Sequence, residues 1–489
     1  MSQYYTATDH FVLLPAILLA LFGCATLLFD FLIFPEAKQR RWLLLFLVLG
    51  EAFAGVAFWR QQSFLLEHGG NLTAFRGALV IDHYALFFHW LFLAATLITG
   101  LVSYRYLEVR DEHHGEYYGL LMLAQTGMYF LASGTELVTL FVGLETMAIT
   151  FYILVGFLRA DRKSNEAALK YLILGSLSSG FLVYGFSVLY GISGSTRLAE
   201  IAAAVAARDA WDPVLVLAVG TAGAGLLFKI SAAPFHMWAP DAYEGAPTMI
   251  TGFLATASKA ASFALLLRLF VGPLGPARES WEPLLAAAAV LSMTVGNLAA
   301  VTQTNTKRLL AYSSVSHAGY ILLGLIAGSP TGIQGVLVYL LVYTFMTLGA
   351  FLVLTSLARK GIAGDDIHDL RGLMKRAPGH ALWMLVFMVS LAGIPPTAGF
   401  VGKFYIFWAL IETGHYTLAV IGALYVVVAI YYYFRIVKAV FVEPEEAEAG
   451  PLTVSLGTRV GLAATGALTL LVGVYPEPVL KLAQMSISR

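Results

Sequence analysis

Three lysines stand where an oily chain has least use for them. Lys229, Lys259 and Lys403 each lie inside a long hydrophobic run, and Lys229 belongs to LLFKISAAPFHMW, which Pro234 then interrupts. A cation at the centre of a bilayer helix costs about 2.5–3.5 kcal/mol even on the mildest insertion scale. A lysine near a helix end escapes that cost by reaching its ammonium to the surface. Lys259 sits at the middle of its run, residues 247–271, so that escape suits it least.

The acid best placed to answer Lys229 is Glu145, which is alone near the middle of the fifth run, in GLETMAITFYILVGF. At about 4 Å and an effective dielectric near 20, such a pair attracts by ~4 kcal/mol. Desolvation disfavours a charged amine, and a carboxylate close by restores the charge. A small helix shift that changes their separation therefore loads or releases a proton. The inert alternative is a static ion pair that ties two helices. Lys259 can pass a proton onward and Lys403 can release it toward the far side. His317, in AYSSVSHAGYILLG, lies between these groups in chain order, and an unperturbed imidazole titrates near neutrality. His236 closes the interrupted run. Both histidines are secondary candidates, with simple hydrogen bonding as the alternative. Glu51 lies mid-run in the second segment, where a contact with a partner is expected, since no chain of groups leads from it. Asp30, near a helix end, reads as solvated. Tyr431, Tyr432 and Tyr433 read as an interfacial belt or a packing cluster.

These residues need helices to hold them. The chain has 489 residues, 59% of them hydrophobic and 12% charged, against about 25% charged in an average soluble protein. A hydrocarbon core of about 30 Å takes about 20 apolar residues per helix. Fourteen runs qualify: 11–33, 42–59, 78–103, 117–132, 136–158, 168–192, 213–236, 247–271, 282–301, 309–328, 332–358, 380–411, 416–441 and 452–475. The expected fold is an all-α polytopic membrane protein. Its connections are short, apart from a polar loop at 361–378 and the acidic stretch EPEEAEAG at 443–450. The first segment, MSQYYTATDHFVLL, has no basic start, so the first run reads as a retained helix and not a cleaved signal.

Basic residues favour cytoplasmic loops. Assigned to their nearest loops, 19 of the 30 Lys and Arg fall on one side and 8 on the other, and the three left over are Lys229, Lys259 and Lys403. The chain is therefore expected in the inner (cytoplasmic) membrane of a bacterium, with both termini on the periplasmic side.

Spans 7 and 12 share an oddity. Proline lacks the N–H that would bond four residues back, so Pro234 frees the carbonyl of Ile230, and Pro395 and Pro396 free those of Leu391 and Ala392. Open carbonyls at membrane depth need protein or water, so a hydrated polar pocket is expected at both breaks. Spans 7 and 12 are five apart and run in opposite directions. Broken helices at matched places in two halves mark inverted-repeat transporters. Lys229 follows Glu145 by 84 residues and Lys403 follows His317 by 86, and Lys259 and Arg435 lie 30 and 32 further on. Two inverted five-helix repeats are expected, spans 4–8 (residues 111–271) and 9–13 (272–441). Residues 1–110 would add three helices before them and 442–489 one after.

Other chemistries find no footing. Net charge is zero, so no basic surface invites nucleic acid. Cys24 is the sole cysteine, which excludes an internal disulfide or a cysteine-held iron–sulfur cluster. There is no GxGxxG and no GxxxxGK(S/T), so nucleotide binding has no support.

Four stretches resemble a known family. KISAAPFHMWAPDAYEGAPT, GLETMAITFYILVGFLR, KRLLAYSSVSHAGY and AGIPPTAGFVGKFYIF look like the helix 7–8, 5, 9–10 and 12 signatures of the antiporter-like membrane subunits of respiratory complex I, the proton-pumping NADH:quinone oxidoreductase. YEGAPT points to the N-type members, Lys403 argues against the M-type, and the chain's end soon after span 14 argues against the L-type. The resemblance covers about residues 78–441. It implies that Glu145, Lys229, Lys259 and Lys403 carry protons. It implies that NADH, FMN, iron–sulfur clusters and quinone belong to partner subunits, with no cofactor or metal on this chain. It implies neighbours among the other membrane subunits, including an M-type subunit and the small membrane subunits, within the lipid bilayer. The alternatives are a subunit of a multisubunit sodium/proton antiporter of the same fold, and a non-pumping membrane scaffold.

Overall fold

A computed structural model gives the fold and describes residues 5–33, 41–110, 112, 114–358, 364–444 and 454–487. Lys38, Arg40, Arg359, Lys360 and Arg489, all counted in the charge asymmetry, lie outside the described residues. So do most of the acidic stretch after Glu443 and part of the polar loop that begins at Gly361.

Each of the fourteen apolar runs holds helix among the described residues. The first six are α1 (Ala7–Leu32), α2 (Arg41–His68), α3 (His83–Arg110), α4 (Glu116–Ser133), α5 (Leu137–Val155) and α6 (Arg162–Ser193). A short α7 (Leu198–Ala206) precedes the first broken span, α8 (Pro213–Lys229) and α9 (Trp238–Gly245). The eighth span is α10 (Thr248–Phe253) and α11 (Lys259–Phe270), joined by a π-helical turn at Leu254–Ser258. Then come α12 (Arg278–Thr302), α13 (Thr306–Ala327) and α14 (Pro330–Leu357). The one-turn α15 (Leu373–Arg376) leads to the second broken span, α16 (Pro378–Ala392) and α17 (Ala398–Glu412), followed by α18 (Tyr416–Phe441), α19 (Leu456–Val474) and α20 (Glu477–Ile487). Among the described residues, 11 helices are long and apolar enough to cross a membrane. The shorter or less apolar α4 and the two broken spans complete the fourteen.

The helix ends follow from local chemistry. Thr6 and Asp9 form a capping box on α1. Asp212 accepts from the Val214 amide at 2.8 Å with Pro213 in the first turn of α8, and Asn305 accepts from the Arg308 amide at 3.0 Å. These contacts satisfy amides that a helix start leaves open. Gly194 and Gly328 end α6 and α13 in the left-handed conformation that glycine adopts freely.

The two repeats use the same helix crossings. α4 lies against α5 as α12 lies against α13, and α6 against α8 as α14 against α16 and α17. Glycines set the closest approach. A Cβ on Gly127 would stand 2.6 Å from the Met147 nitrogen and 2.7 Å from the Gly143 carbonyl, and one on Gly296 would stand 2.5 Å from the Ser316 nitrogen and 2.7 Å from the Tyr312 carbonyl. Each residue of the second contact lies 169 positions after its counterpart (127 and 296, 143 and 312, 147 and 316). This register places Ser314, and not His317, at the counterpart of Glu145. The sequence spacings paired His317 with Glu145 because they count residues without regard to which helix face each one occupies.

The middle of the bundle is made by the eighth, tenth and eleventh spans. Their most apolar windows are 100%, 94% and 94% buried within the protein, against 33% for α1 and 28% for α18. Outer helices thus turn apolar side chains to lipid, while Lys259 and His317 ride on inner ones. Three small elements, one with a strand that takes up the start of the third run, accompany the long helices. They are a two-stranded hairpin of β1 (Leu72–Ala74) and β2 (Leu79–Ile81), the surface helix α7, and the amphipathic α20, which lies on α3 and α14. Length or polarity hides β1, α7 and α20 from a search for apolar runs, and the apolar β2 merges with the helix that follows it.

Candidate functional site: a line of buried charges

Lys229 is the last residue of α8, where the helix dipole favours a cation. Its ammonium lies 4.0 Å from Glu145 on α5, with side-chain exposures of 3% and 25% respectively. Ser179 on α6 stands between them. It donates to Glu145 Oε1 at 2.5 Å and accepts from Lys229 Nζ at 3.3 Å. Glu145 is thus the part-exposed member of the pair and Lys229 the buried one. The break after α8 is stitched by side chains. Trp238 Nε1 donates to the Phe228 carbonyl at 2.9 Å, and the Ala233 amide donates to Ser292 Oγ at 2.8 Å. Arg308 ties α9 to α13, reaching Asp241 at 2.8 Å and Glu244 at 3.0 Å.

Lys259 begins α11, just after the π-helical turn, and is 1% exposed. Its ammonium donates to the Ser314 carbonyl at 2.6 Å and to Ser314 Oγ at 2.5 Å, and it stands 5.9 Å from the ring centre of Tyr343. Among the described residues no carboxylate lies within ion-pair distance of it. Ser314 is the residue that the repeat register matches to Glu145. The second half therefore offers a neutral hydroxyl and a carbonyl where the first half offers an acid.

α13 carries the line onward. His317, 2% exposed, faces two phenols. Its Nδ1 is 2.7 Å from the Tyr339 hydroxyl and its Nε2 is 2.9 Å from the Tyr433 hydroxyl. Tyr433 is in turn hydrogen-bonded to Ser313 Oγ. Tyr432 and Tyr433 are buried, at 1% and 0% exposure, and Tyr431 alone turns outward at 60%. The packing-cluster alternative therefore describes Tyr432 and Tyr433, which α18 turns inward, Tyr432 onto Asn297 of α12 at 3.2 Å and Tyr433 onto α13.

Lys403 lies in α17, beyond the second break, at 4% exposure. Its ammonium donates to the Leu391 carbonyl at 3.1 Å and the Ala392 carbonyl at 2.9 Å. Those are the two carbonyls that Pro395 and Pro396 leave open. The expected hydrated pocket is here filled by the lysine itself, which folds back over Gly393 and supplies the donors that water would otherwise bring. Lys403 also stands 5.1 Å from the ring centre of Tyr320.

His236 does not join this line. It is half-buried beside the exposed Phe235 and Met237, and no hydrogen bond links it to Lys229 or Glu145. Arg435 donates to the Val301 carbonyl and so holds α18 to α12. Beyond the membrane-spanning helices, a hydrogen bond from Arg371 holds the Glu443 carboxyl below the usual carboxylate range, and the pair closes at 2.8 Å. Asp30, read as solvated, is 8% exposed, and its Oδ2 accepts from the Gly115 amide at 2.8 Å.

The sequence reading missed Ser179, Ser314 and Tyr339, and it gave Tyr433 only a belt or packing role. Serine and tyrosine are ordinary in apolar helices, and no charge marks them. The one signal for Ser314 was its place one turn before His317 on a helix that also carries Ser313 and Ser316.

A bundle of fourteen spans with two broken helices is the fold that this chain shares with antiporter-like membrane subunits. Residues 134–429 match the family described as NADH:quinone oxidoreductase/Mrp antiporter, transmembrane. NADH-quinone oxidoreductase subunit N 2 of Solibacter usitatus is 61% identical over 489 residues, 100% of this chain and 99% of that protein. A chain of respiratory complex I from Thermus thermophilus superposes with a TM-score of 0.79 at 36% identity, covering 96% of this chain and 98% of that one. A chain of the Mrp complex from Dietzia shares the fold, with a TM-score of 0.82 at 20% identity over 97% of each chain. The chain belongs to the NADH:quinone oxidoreductase/Mrp antiporter transmembrane family and, within it, to the N subunits of NADH-quinone oxidoreductase. It is thus a multi-span membrane subunit of a bacterial respiratory complex.

Proposed function

We propose that the chain moves protons across the membrane, through Glu145, Lys229, Lys259 and Lys403, while NADH oxidation and quinone reduction proceed on partner subunits. Glu145 and Lys229 form the loading pair. Ser179 bridges them, so a shift of α5, α6 or α8 changes how strongly the ammonium is held. Lys259 receives the proton at the centre of the bundle, and Ser314 is its resting acceptor. The hydrogen-bonded chain Ser313–Tyr433–His317–Tyr339 joins α13 to α18 and α14 beyond it, and Lys403 at the second break is the release group. His317 acts as a secondary member. His236 stands aside.

The observation that carries this reading is Lys259. A cation buried at the bilayer centre without a counter-charge is costly, and two contacts to one serine are a poor structural return for it. A charge that binds and leaves with a mobile proton does not bear that cost throughout the cycle. The measurement is proton translocation by membrane vesicles holding Lys259→Ala complex, with assembly followed on native gels. Assembly at the parent level with impaired pumping is expected. Parent-level pumping by an assembled variant would contradict the relay.

In this reading the cofactors NADH, FMN, iron–sulfur clusters and quinone sit on the partner subunits. An M-type antiporter-like subunit and the small membrane subunits are the neighbours, and both termini face the periplasm.

A further inference from the structure

The helices outside the two repeats bury an acid that the relay does not use. Glu51 on α2 is 1% exposed, and Gln125 on α4 is 2% exposed. Gln125 Nε2 donates to Glu51 Oε2 at 3.1 Å. The other oxygens, Glu51 Oε1 and Gln125 Oε1, are both buried without a hydrogen-bond partner. Two acceptors left over on one contacting pair are what an ionised carboxylate beside an amide would leave. A carboxylic acid and an amide instead complete a cyclic pair, in which the acid O–H donates to the amide oxygen. One proton on Glu51 therefore satisfies both orphaned atoms, and it removes an uncompensated charge from the membrane interior.

The pair sits at the inner end of a polar stripe. Gln125, Tyr129 and Ser133 recur every fourth residue on α4 and so share one face over about 12 Å. Ser133 Oγ is 2.9 Å from Nε2 of His89 on α3, whose ring stacks on Tyr129 with centroids 4.4 Å apart. His89 Nδ1 is buried without a partner. Next to Ser133, the Ala132 carbonyl accepts from Arg268 Nε at 2.6 Å, and Arg268 pairs with Asp82 at 2.9 Å. Asp82, Arg268 and Thr135 line an open cavity of about 610 Å³.

Other ionisable groups on the surrounding helices lie mostly toward the helix ends, with Cys24 of α1 and Arg60 of α2 further in. α1 has Asp9 and His10 at its start and Asp30 at its end, and α3 has His83 and Tyr84 at its start and Tyr104, Arg105, Tyr106, Glu108 and Arg110 at its end. α4 has Glu116, Tyr117 and Tyr118 at its start, and α2 itself has Arg60, Glu67 and His68 in its second half. None of them is hydrogen-bonded or ion-paired to Glu51.

We propose that Glu51 is a second proton-binding site, a neutral carboxylic acid paired with Gln125, which exchanges its proton with the Asp82–Arg268 cavity through Ser133 and His89. This site is separate from the line at Glu145, and it stands whether or not that line pumps.

Infrared difference spectra of the purified complex, variant minus parent and in H₂O against D₂O, test it. A protonated-carboxyl band that shifts in D₂O is expected in the parent, with loss of that band in Glu51→Gln and a frequency shift in Gln125→Leu. The band's exchange into D₂O should slow in His89→Phe and in Ser133→Ala. A Glu51→Gln spectrum that keeps every protonated-carboxyl band overturns the site, and exchange at the parent rate in both path variants overturns the path. If Glu51→Gln does not assemble, Gln125→Leu decides, since an unshifted band there contradicts the acid–amide pair.

Discussion

At the scale of single residues, the three buried lysines are held in three different ways. Lys229 has an acid and a serine, Lys259 has one serine, and Lys403 has two carbonyls at a helix break. That difference matters for what substitution does. Removing the ammonium of Lys403 leaves the Leu391 and Ala392 carbonyls buried without that donor, at a cost of about 1–3 kcal/mol for each orphaned group. Lys403→Met is therefore expected to lower the thermal stability of the complex as well as its pumping, while Lys403→Arg keeps donors in place and is milder on stability. Thermal unfolding of purified complex checks this, and an unchanged transition in Lys403→Met would mean that the carbonyls find other donors. The lysines and the freed carbonyls were legible in the sequence because a charge or a proline in an apolar run is conspicuous. The hydroxyls that join them were not, because Ser179, Ser314 and Tyr433 look like any other residue of a membrane helix until the neighbouring helices are in place.

At the scale of elements, helix existence was legible and helix register was not. Length and apolarity alone mark fourteen runs, and Pro234 and Pro395–Pro396 mark the two that break. Which residue of one repeat answers which of the other depends on where two helices touch, and glycines decide that. The Gly296 contact puts the α12 backbone so close to Ser316 and Tyr312 of α13 that no side chain fits. It also fixes the height of Ser314, and so the contact that Lys259 makes. Overfilling a close-packed site typically costs about 1–3 kcal/mol. Gly296→Leu is expected to reduce the amount of assembled complex on native gels, since the two helices would have to separate. A Cβ at Gly191 meets nothing within 4 Å, so Gly191→Ala should assemble at the parent level. Equal assembly of both variants would mean that the α12–α13 crossing does not set the register.

At the scale of the whole molecule, an orientation and a function both follow from where charge lies. By the preference of basic residues for cytoplasmic loops, the asymmetry of 19 against 8 basic residues between the two sides predicts that the loop near Lys163 faces the cytoplasm. Cysteines introduced there are expected to react with an impermeant reagent in inverted vesicles and not in intact cells. Labelling from the periplasmic side alone would reverse the topology. Function rests on whether the buried charges switch or merely tie helices together, and the Glu145–Lys229 pair separates the two. With Glu145→Gln, Lys229 is left desolvated without its acid and can no longer be held charged at the loading step, so pumping should fall. Glu145→Asp keeps the charge one methylene further back and should be milder. A structural tie behaves differently when both partners go. Glu145→Gln combined with Lys229→Gln removes both charges and leaves two amides free to hydrogen-bond, which restores a tie and cannot restore a proton carrier. The most direct measurement is proton pumping by inverted vesicles carrying this double variant, normalised to assembled complex. The relay predicts pumping well below the parent rate, and recovery to near that rate would contradict it.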